Sequence, residues 1–308
     1  KGEAMTWHAR LALRYERQGG AAASGAHMVG AMAGAGPAAT PVAPEATART
    51  VARFDHEGPL RILQSLHPEG LGICHNVLVH PPSGLVAGDR LDISVQVDAG
   101  AHGLVTTPGA TRFYRSEGEL AVQDARLTLA EGARLEWLPM EALYYSGCHA
   151  ENRLQLQLAP GAQAMGWDVS ALGLPAAGQP FVAGRLQQHL ELEGAWLERG
   201  RIDASDARLM DGPLGLAGHR CLATLFLLAG SELGREAREA ALASARAVMD
   251  THPLGHLAGV TSPHPQVVVL RMLAPVVEPA MDLLKAVRNA WRPALWGLAP
   301  NPPRTWAL

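Results

Sequence analysis

The sequence predicts a mainly β protein: a layered, solenoid-like or sandwich-like body of strand pairs, with two α-helices in the C-terminal half. Three observations carry that reading. Leu91, Ile93, Val95 and Val97 alternate with Asp92, Ser94, Gln96 and Asp98, the period of a strand with one buried and one wet face. A unit of strand, Gly-Ala turn and strand recurs at Gly100-Ala101, Gly132-Ala133, Gly161-Ala162 and Gly194-Ala195, about every 30 residues, the range of stacked repeats. Helical spacing of apolar residues comes late, after Ser231. A strand pair that buries one face must lay it on a neighbour, so units in series stack into layers.

From the N-terminus, Trp7, Ala9, Leu11, Leu13 and Tyr15 share one side of a strand, opposite His8, Arg10, Arg14 and Glu16. Residues 1–18 are thus expected as an N-terminal strand of the β body. Residues 19–50 are mostly Ala, Gly, Pro, Thr and Ser with no periodic apolar face, and read as a flexible insertion. Residues 51–308 follow as one β-rich domain, in which Gly58-Pro59 and Pro68-Glu69-Gly70 bracket a strand around Leu60 to Leu66. Ala99-Gly100-Ala101 is expected to reverse the chain, so that Leu104 to Thr107 return beside Leu91–Val97 as a hairpin. Later arms alternate in the same way, with Leu154, Leu156 and Leu158 against Arg153, Gln155 and Gln157, and Leu190 and Leu192 against His189, Glu191 and Glu193. One helix is expected near 233–249, capped by Ser231 and ended by Pro253 and Gly255. A second, near 279–291, carries Leu283, Leu284, Val287 and Trp291 on one side and stops at Arg292-Pro293. Between them Gln266 to Leu273 is β-branched and apolar, as a buried strand would be.

Composition narrows the function. A formal net charge of -3 with 18% charged residues offers no basic field to gather nucleic acid. Cys74, Cys148 and Cys221 are odd in number, widely spaced and not in C-x-x-C pairs, which argues against a disulfide framework or a zinc ribbon and for a reducing, cytoplasmic setting. No stretch of 18 uninterrupted apolar residues suggests a membrane span. The phosphate-binding G-x-x-x-x-G-K-[ST], the nucleophile elbow G-x-S-x-G and the metalloprotease H-E-x-x-H do not occur.

Several residues could still carry chemistry. Imidazole and thiolate suit a borderline metal such as nickel, and the chain offers Cys74-His75, His80, Cys148-His149, and His252, His256 and His264, none at a diagnostic spacing. His75, His80 and Asp89 are the metal candidates, although Cys74 and His80 share one strand face and His75 takes the other. Arg112-Phe113-Tyr114-Arg115 has two readings: an interface anchor, since arginine and tyrosine combine a stiff body with directional donors, or a core Phe113 whose arginines pair with Asp89, Glu117 or Glu119. Glu136-Trp137 is an acidic-aromatic pair at the end of a repeat arm. A β-rich hydrolase or transferase using Asp89, Glu136 and a nearby histidine is the competing functional reading.

Between His80 and Ser116 the chain holds Pro81-Pro82, Gly84-Leu85-Val86, Gly88-Asp89-Arg90-Leu91, and the run from Thr106 and Thr107 through FYRS at Ser116. These elements carry a resemblance to the urease accessory protein UreD (UreH) family. It extends to Gly58-Pro59-Leu60, Pro68-Glu69-Gly70, Leu135 to Pro139, Leu172-Gly173, Pro175-Ala176 and Phe181-x-x-Gly184. Arg112 stands where the family usually has lysine, and Leu174 where arginine is usual. The resemblance implies a non-catalytic maturation factor with no tightly bound cofactor. Its implied partners are the helical accessory protein UreF, the GTPase UreG and apo-urease, in an accessory complex in which the protein is dimeric. Nickel would be in transit, through an internal tunnel. Gly88, Asp89, Thr106, Thr107, Arg112, Tyr114, Arg115, Glu136 and Trp137 are then the candidates for partner contact or tunnel lining.

Overall fold

The computed structural model describes residues 6–19, 48–82 and 84–307, so the expected insertion lies almost wholly outside the described residues. β1 (His8–Gln18) pairs antiparallel with β2 (Arg49–Glu57), and β3 (Arg61–Leu66) antiparallel with β4 (Ile73–Val79). From β4 the chain winds as a coil. It runs through β5 (Gly84–Leu85) and β6 (Arg90–Val97), then β7 (His102–Thr106), β8 (Thr111–Phe113) and β9 (Ala121–Leu129). The next turn is β10 (Arg134–Leu138), β11 (Ala142–Tyr144) and β12 (Cys148–Leu158), and the next β13 (Gln163–Leu174), β14 (Gln179–Pro180) and β15 (Gly184–Leu192).

Successive turns stack in parallel register, as in the row Ile73, His102, Arg134 and Gln163. β16 (Trp196–Asp203) then pairs antiparallel with β15, giving a first sheet of order β16-β15-β12-β9-β6-β1-β2. After α1 (Ala207–Asp211) come β17 (Cys221–Ala229), α2 (Arg235–Thr251), β18 (Ala258–His264), β19 (Val267–Ala274) and α3 (Val277–Trp291). The second sheet runs β18-β19-β17-β13-β10-β7-β4-β3.

The expected β solenoid is thus present, but its unit differs from the expected hairpin. β6 and β7 do not pair with each other: β6 lies between β1 and β9 in the first sheet, β7 between β4 and β10 in the second. The Gly-Ala turn is a corner. Ala101 N–H bonds the Asp98 carbonyl and Ala133 N–H the Ala130 carbonyl, with Gly100 and Gly132 at φ 65° and 64°, a backbone that glycine adopts without strain.

Two cores result. Inside the coil, Leu13 and Tyr15 of β1, Val95 and Val97 of β6, Leu127 of β9, Leu156 of β12 and Leu190 of β15 meet Leu135, Ala164 and Phe226 of the second sheet. The opposite face of the second sheet, with Trp167, Leu225, Leu227 and Leu270, packs on Leu283, Leu284, Val287 and Trp291 of α3 and Ala241 and Ala245 of α2. Trp291 Nε1 donates to the Ala241 carbonyl at 2.9 Å, tying the two helices together. The molecule is therefore sheet on sheet on helices, and the middle sheet is buried on both faces where the helices cover it.

Two local expectations are corrected, and one open alternative is resolved. Trp7 is 50% exposed and precedes β1 rather than joining its buried side. α2 has Gly234 at its N-cap without a side-chain bond, because Ser231 Oγ instead accepts from Gly161 N–H at 3.2 Å. Phe113 is fully buried and stacked on Tyr144 with ring centroids 4.9 Å apart, so that residue of the basic-aromatic run is core.

Candidate functional site

The glycine-aspartate motif builds a joint. Gly88 has φ 79°, and Asp89 N–H bonds the Val86 carbonyl at 3.0 Å. The Asp89 carboxylate accepts from Trp7 N–H and Val86 N–H, both at 2.9 Å, so it fastens the entry to β1 onto the turn before β6. Thr106 and Thr107 likewise hold backbone. Thr106 Oγ1 donates to the Leu138 carbonyl at 2.7 Å, and Thr107 Oγ1 accepts from Met140 N–H at 2.8 Å and donates to the Gly109 carbonyl.

Beneath that loop a cavity of about 160 Å³ opens into the coil, with His80, Thr107, Arg112, Trp137, Asn152 and Asp168 on its wall. Asp168 is the acid on that wall. Asn152 Nδ2 donates to it at 2.7 Å and Ser170 Oγ at 3.3 Å, and Gln188 Nε2 donates as well. Burial outweighs these donors and lifts the carboxyl from 3.8 to about 6. Asn152 also accepts from Gln123 at 3.2 Å. Gln123, Asn152 and Gln188 are register neighbours on β9, β12 and β15, so three amides form one rung across the coil interior. Sequence reasoning missed this group. Its signal was present: each amide sits at an inward position of an otherwise apolar face, as Gln188 does between Leu186 and Leu190.

A second buried polar group joins the coil to the helical layer. Glu136 lies under α3, where Arg288 Nε donates to Oε2 at 2.7 Å and Arg292 Nε faces Oε1 at 3.3 Å. Arg292 also donates to Glu69 at 2.6 Å, and Glu69 bonds His75 Nε2 at 2.8 Å. His102 Nε2 stands 3.7 Å from Glu136, and burial lowers its pKa against the pull of that carboxylate. Arg288 and Arg292 reach the Asn301 and Ala299 carbonyls, so the C-terminal tail is held in the same cluster. Burial alone would raise the Glu136 pKa, but His102, Arg288 and Arg292 hold it down at about 2. Sequence reasoning missed the arginines; the signal for Arg288 is its place on the apolar stripe of α3, four residues after Leu284.

The predicted candidates therefore separate. His80 lines the cavity close enough to Asp89 for its charge to act, although burial, the larger effect, lowers the His80 pKa. His75 is in the helix-side cluster instead. Trp137 is 5% exposed, in the coil core beside the cavity. Tyr114 packs on Tyr145 with centroids 4.9 Å apart, and both line a surface groove with Arg115, Pro180 and Val182. The Cys148 thiol is core and pushed by burial up to about 12, while His252 and His264 each accept a backbone N–H in their own turn. Among the described residues no three His, Cys, Asp or Glu side chains converge as a metal site would require.

Asp89 and Glu136 do not share a cleft: one is committed to two backbone amides, the other sealed between arginines. That arrangement removes the hydrolase or transferase reading. No helix among the described residues is long and apolar enough to cross a membrane.

The profile of the UreD urease accessory protein family matches residues 35–307. The urease accessory protein UreD of Paracidovorax citrulli (strain AAC00-1) is 62% identical over 304 residues, 99% of this chain and 100% of that protein. Those of Variovorax paradoxus (strain S110) and Verminephrobacter eiseniae (strain EF01-2) are 57% and 59% identical, covering 98% and 99% of this chain and 100% of their own lengths. With a β solenoid under a helical layer and a matching profile over most of its length, the chain belongs to the UreD family, non-catalytic accessory proteins of urease maturation.

Proposed function

We propose that this protein works in the cytoplasm with UreF and the GTPase UreG on apo-urease, dimeric within that complex, and that nickel crosses it as cargo through the cavity under Thr107 and Arg112. The observation that carries the reading is Asp168. A carboxyl with a pKa near 6, held by neutral donors inside a cavity, exchanges a proton for a cation at little cost. Few and weak ligands suit passage, because a complete ligand set would retain the ion. Tyr114 and Arg115, on the groove shared with Tyr145, are proposed to face a partner, aromatic and arginine side chains being the usual anchors of such surfaces.

The test is nickel content of urease purified from cells carrying the urease gene set with Asp168→Leu in this protein. Lower nickel occupancy, with the accessory complex still co-purifying, is the expected result. Full occupancy would overturn the route. Arg115→Glu should instead weaken co-purification.

A further inference from the structure

β16 is an edge of the first sheet. Trp196 and Ile202 turn into the core, so the residues of opposite parity, Leu197, Arg199 and Arg201, project from the outer face. Leu197 is 57% exposed. Arg199 and Arg201 are exposed too, and neither forms an ion pair among the described residues. Asp203, the β16 acid on the same side, feels the charge of Arg201 but is hydrogen-bonded by the backbone and side chain of Ser205 at 3.0 and 2.7 Å. Between the arginines, Gly200 leaves the backbone bare: a Cβ there would meet nothing within 4 Å.

An open edge offers its unpaired N–H and C=O groups to any extended chain, and side chains decide which chain is accepted. A second copy is disfavoured in one register. Antiparallel self-pairing centred on Gly200 would set Arg199 of each copy opposite Arg201 of the other, like charges at directly opposed positions. An acidic strand meets no such barrier.

We propose that β16 is a docking edge for an extended acidic segment of another protein, added as a further strand. Its carboxylates, two residues apart, face Arg199 and Arg201, and an apolar side chain two residues beyond covers Leu197. An antiparallel segment therefore reads acid-x-acid-x-apolar. The proposal is independent of the nickel route, since none of these residues lines the cavity.

The experiment is fluorescence anisotropy of the full chain at low salt with a labelled Thr-Glu-Thr-Glu-Thr-Val peptide, against Thr-Lys-Thr-Lys-Thr-Val. The acidic peptide is expected to bind at least about tenfold tighter, with slowed amide exchange at residues 197–201. Arg199→Glu with Arg201→Glu should reverse the preference, and Arg199→Gln with Arg201→Gln should abolish it, each with an unchanged circular dichroism spectrum. No binding, equal binding of the two peptides, or a preference that survives both double variants overturns the proposal.

Discussion

Glu136 and Arg288 are 152 residues apart in sequence and meet at 2.5 Å with neither side chain exposed. Removing such charges from water costs several kcal/mol per ion, so the pair is weak grounds for extra stability. Its effect is on position: α3 seated elsewhere would leave a buried charge unmatched. Glu136→Gln leaves Arg288 and Arg292 facing a neutral group, and should lower the unfolding free energy by about 3–5 kcal/mol in urea titration. A change below about 1 kcal/mol would show that the arginines find other compensation.

The same residue governs acid stability. The Glu136 carboxyl is lowered from 4.5 to about 2, so its stabilisation is complete above 4.5 and is lost as pH falls toward 2. The loss should reach about 3 kcal/mol, measured as the pH dependence of unfolding in the wild type against Glu136→Gln.

Asp168 has the opposite sign. Its carboxyl is raised from 3.8 to about 6, so the native state keeps the proton longer and stability falls as pH rises through that interval. Asp168→Asn should remove the slope, gaining about 3 kcal/mol relative to wild type between pH 4 and 7. Parallel pH profiles for the two proteins would contradict the shift.

Asp89 holds two backbone amides, at Trp7 and Val86. Asp89→Ala should cost about 2–4 kcal/mol and speed hydrogen exchange at both amides. Unchanged exchange at Trp7 would mean that β1 is anchored without it.

Gly132 isolates the cost of a corner. Its φ is 64° and an added Cβ would meet nothing within 4 Å, so Gly132→Ala strains only the backbone. About 1–2 kcal/mol is expected from thermal unfolding.

The first sheet is legible because one of its faces is wet. In β6, Leu91 to Val97 point inward and Asp92 to Gln96 outward, and the period of two survives in the sequence. β17, Cys221–Ala229, is covered on both faces and reads as a plain apolar run, which no periodicity distinguishes from a helix. The hairpin expectation fails at Gly100 because a tight glycine turn looks alike whether the chain doubles back or bends into another sheet. Asp168 carries no spacing rule, and Arg288 only its place on the stripe of α3. Their neighbours come from β12, β15 and β10, and a charged residue in sequence resembles a solvated one until the fold surrounds it.

The tie between Glu69 and Arg292 spans 223 positions, and this bears on synthesis. Turns of the coil can stack as they leave the ribosome, since each touches the one before. The outer side of the second sheet, with Trp167 and Leu225, stays bare until α3 has emerged. A stalled or shortened nascent chain would leave that greasy wall uncovered, a surface prone to aggregation.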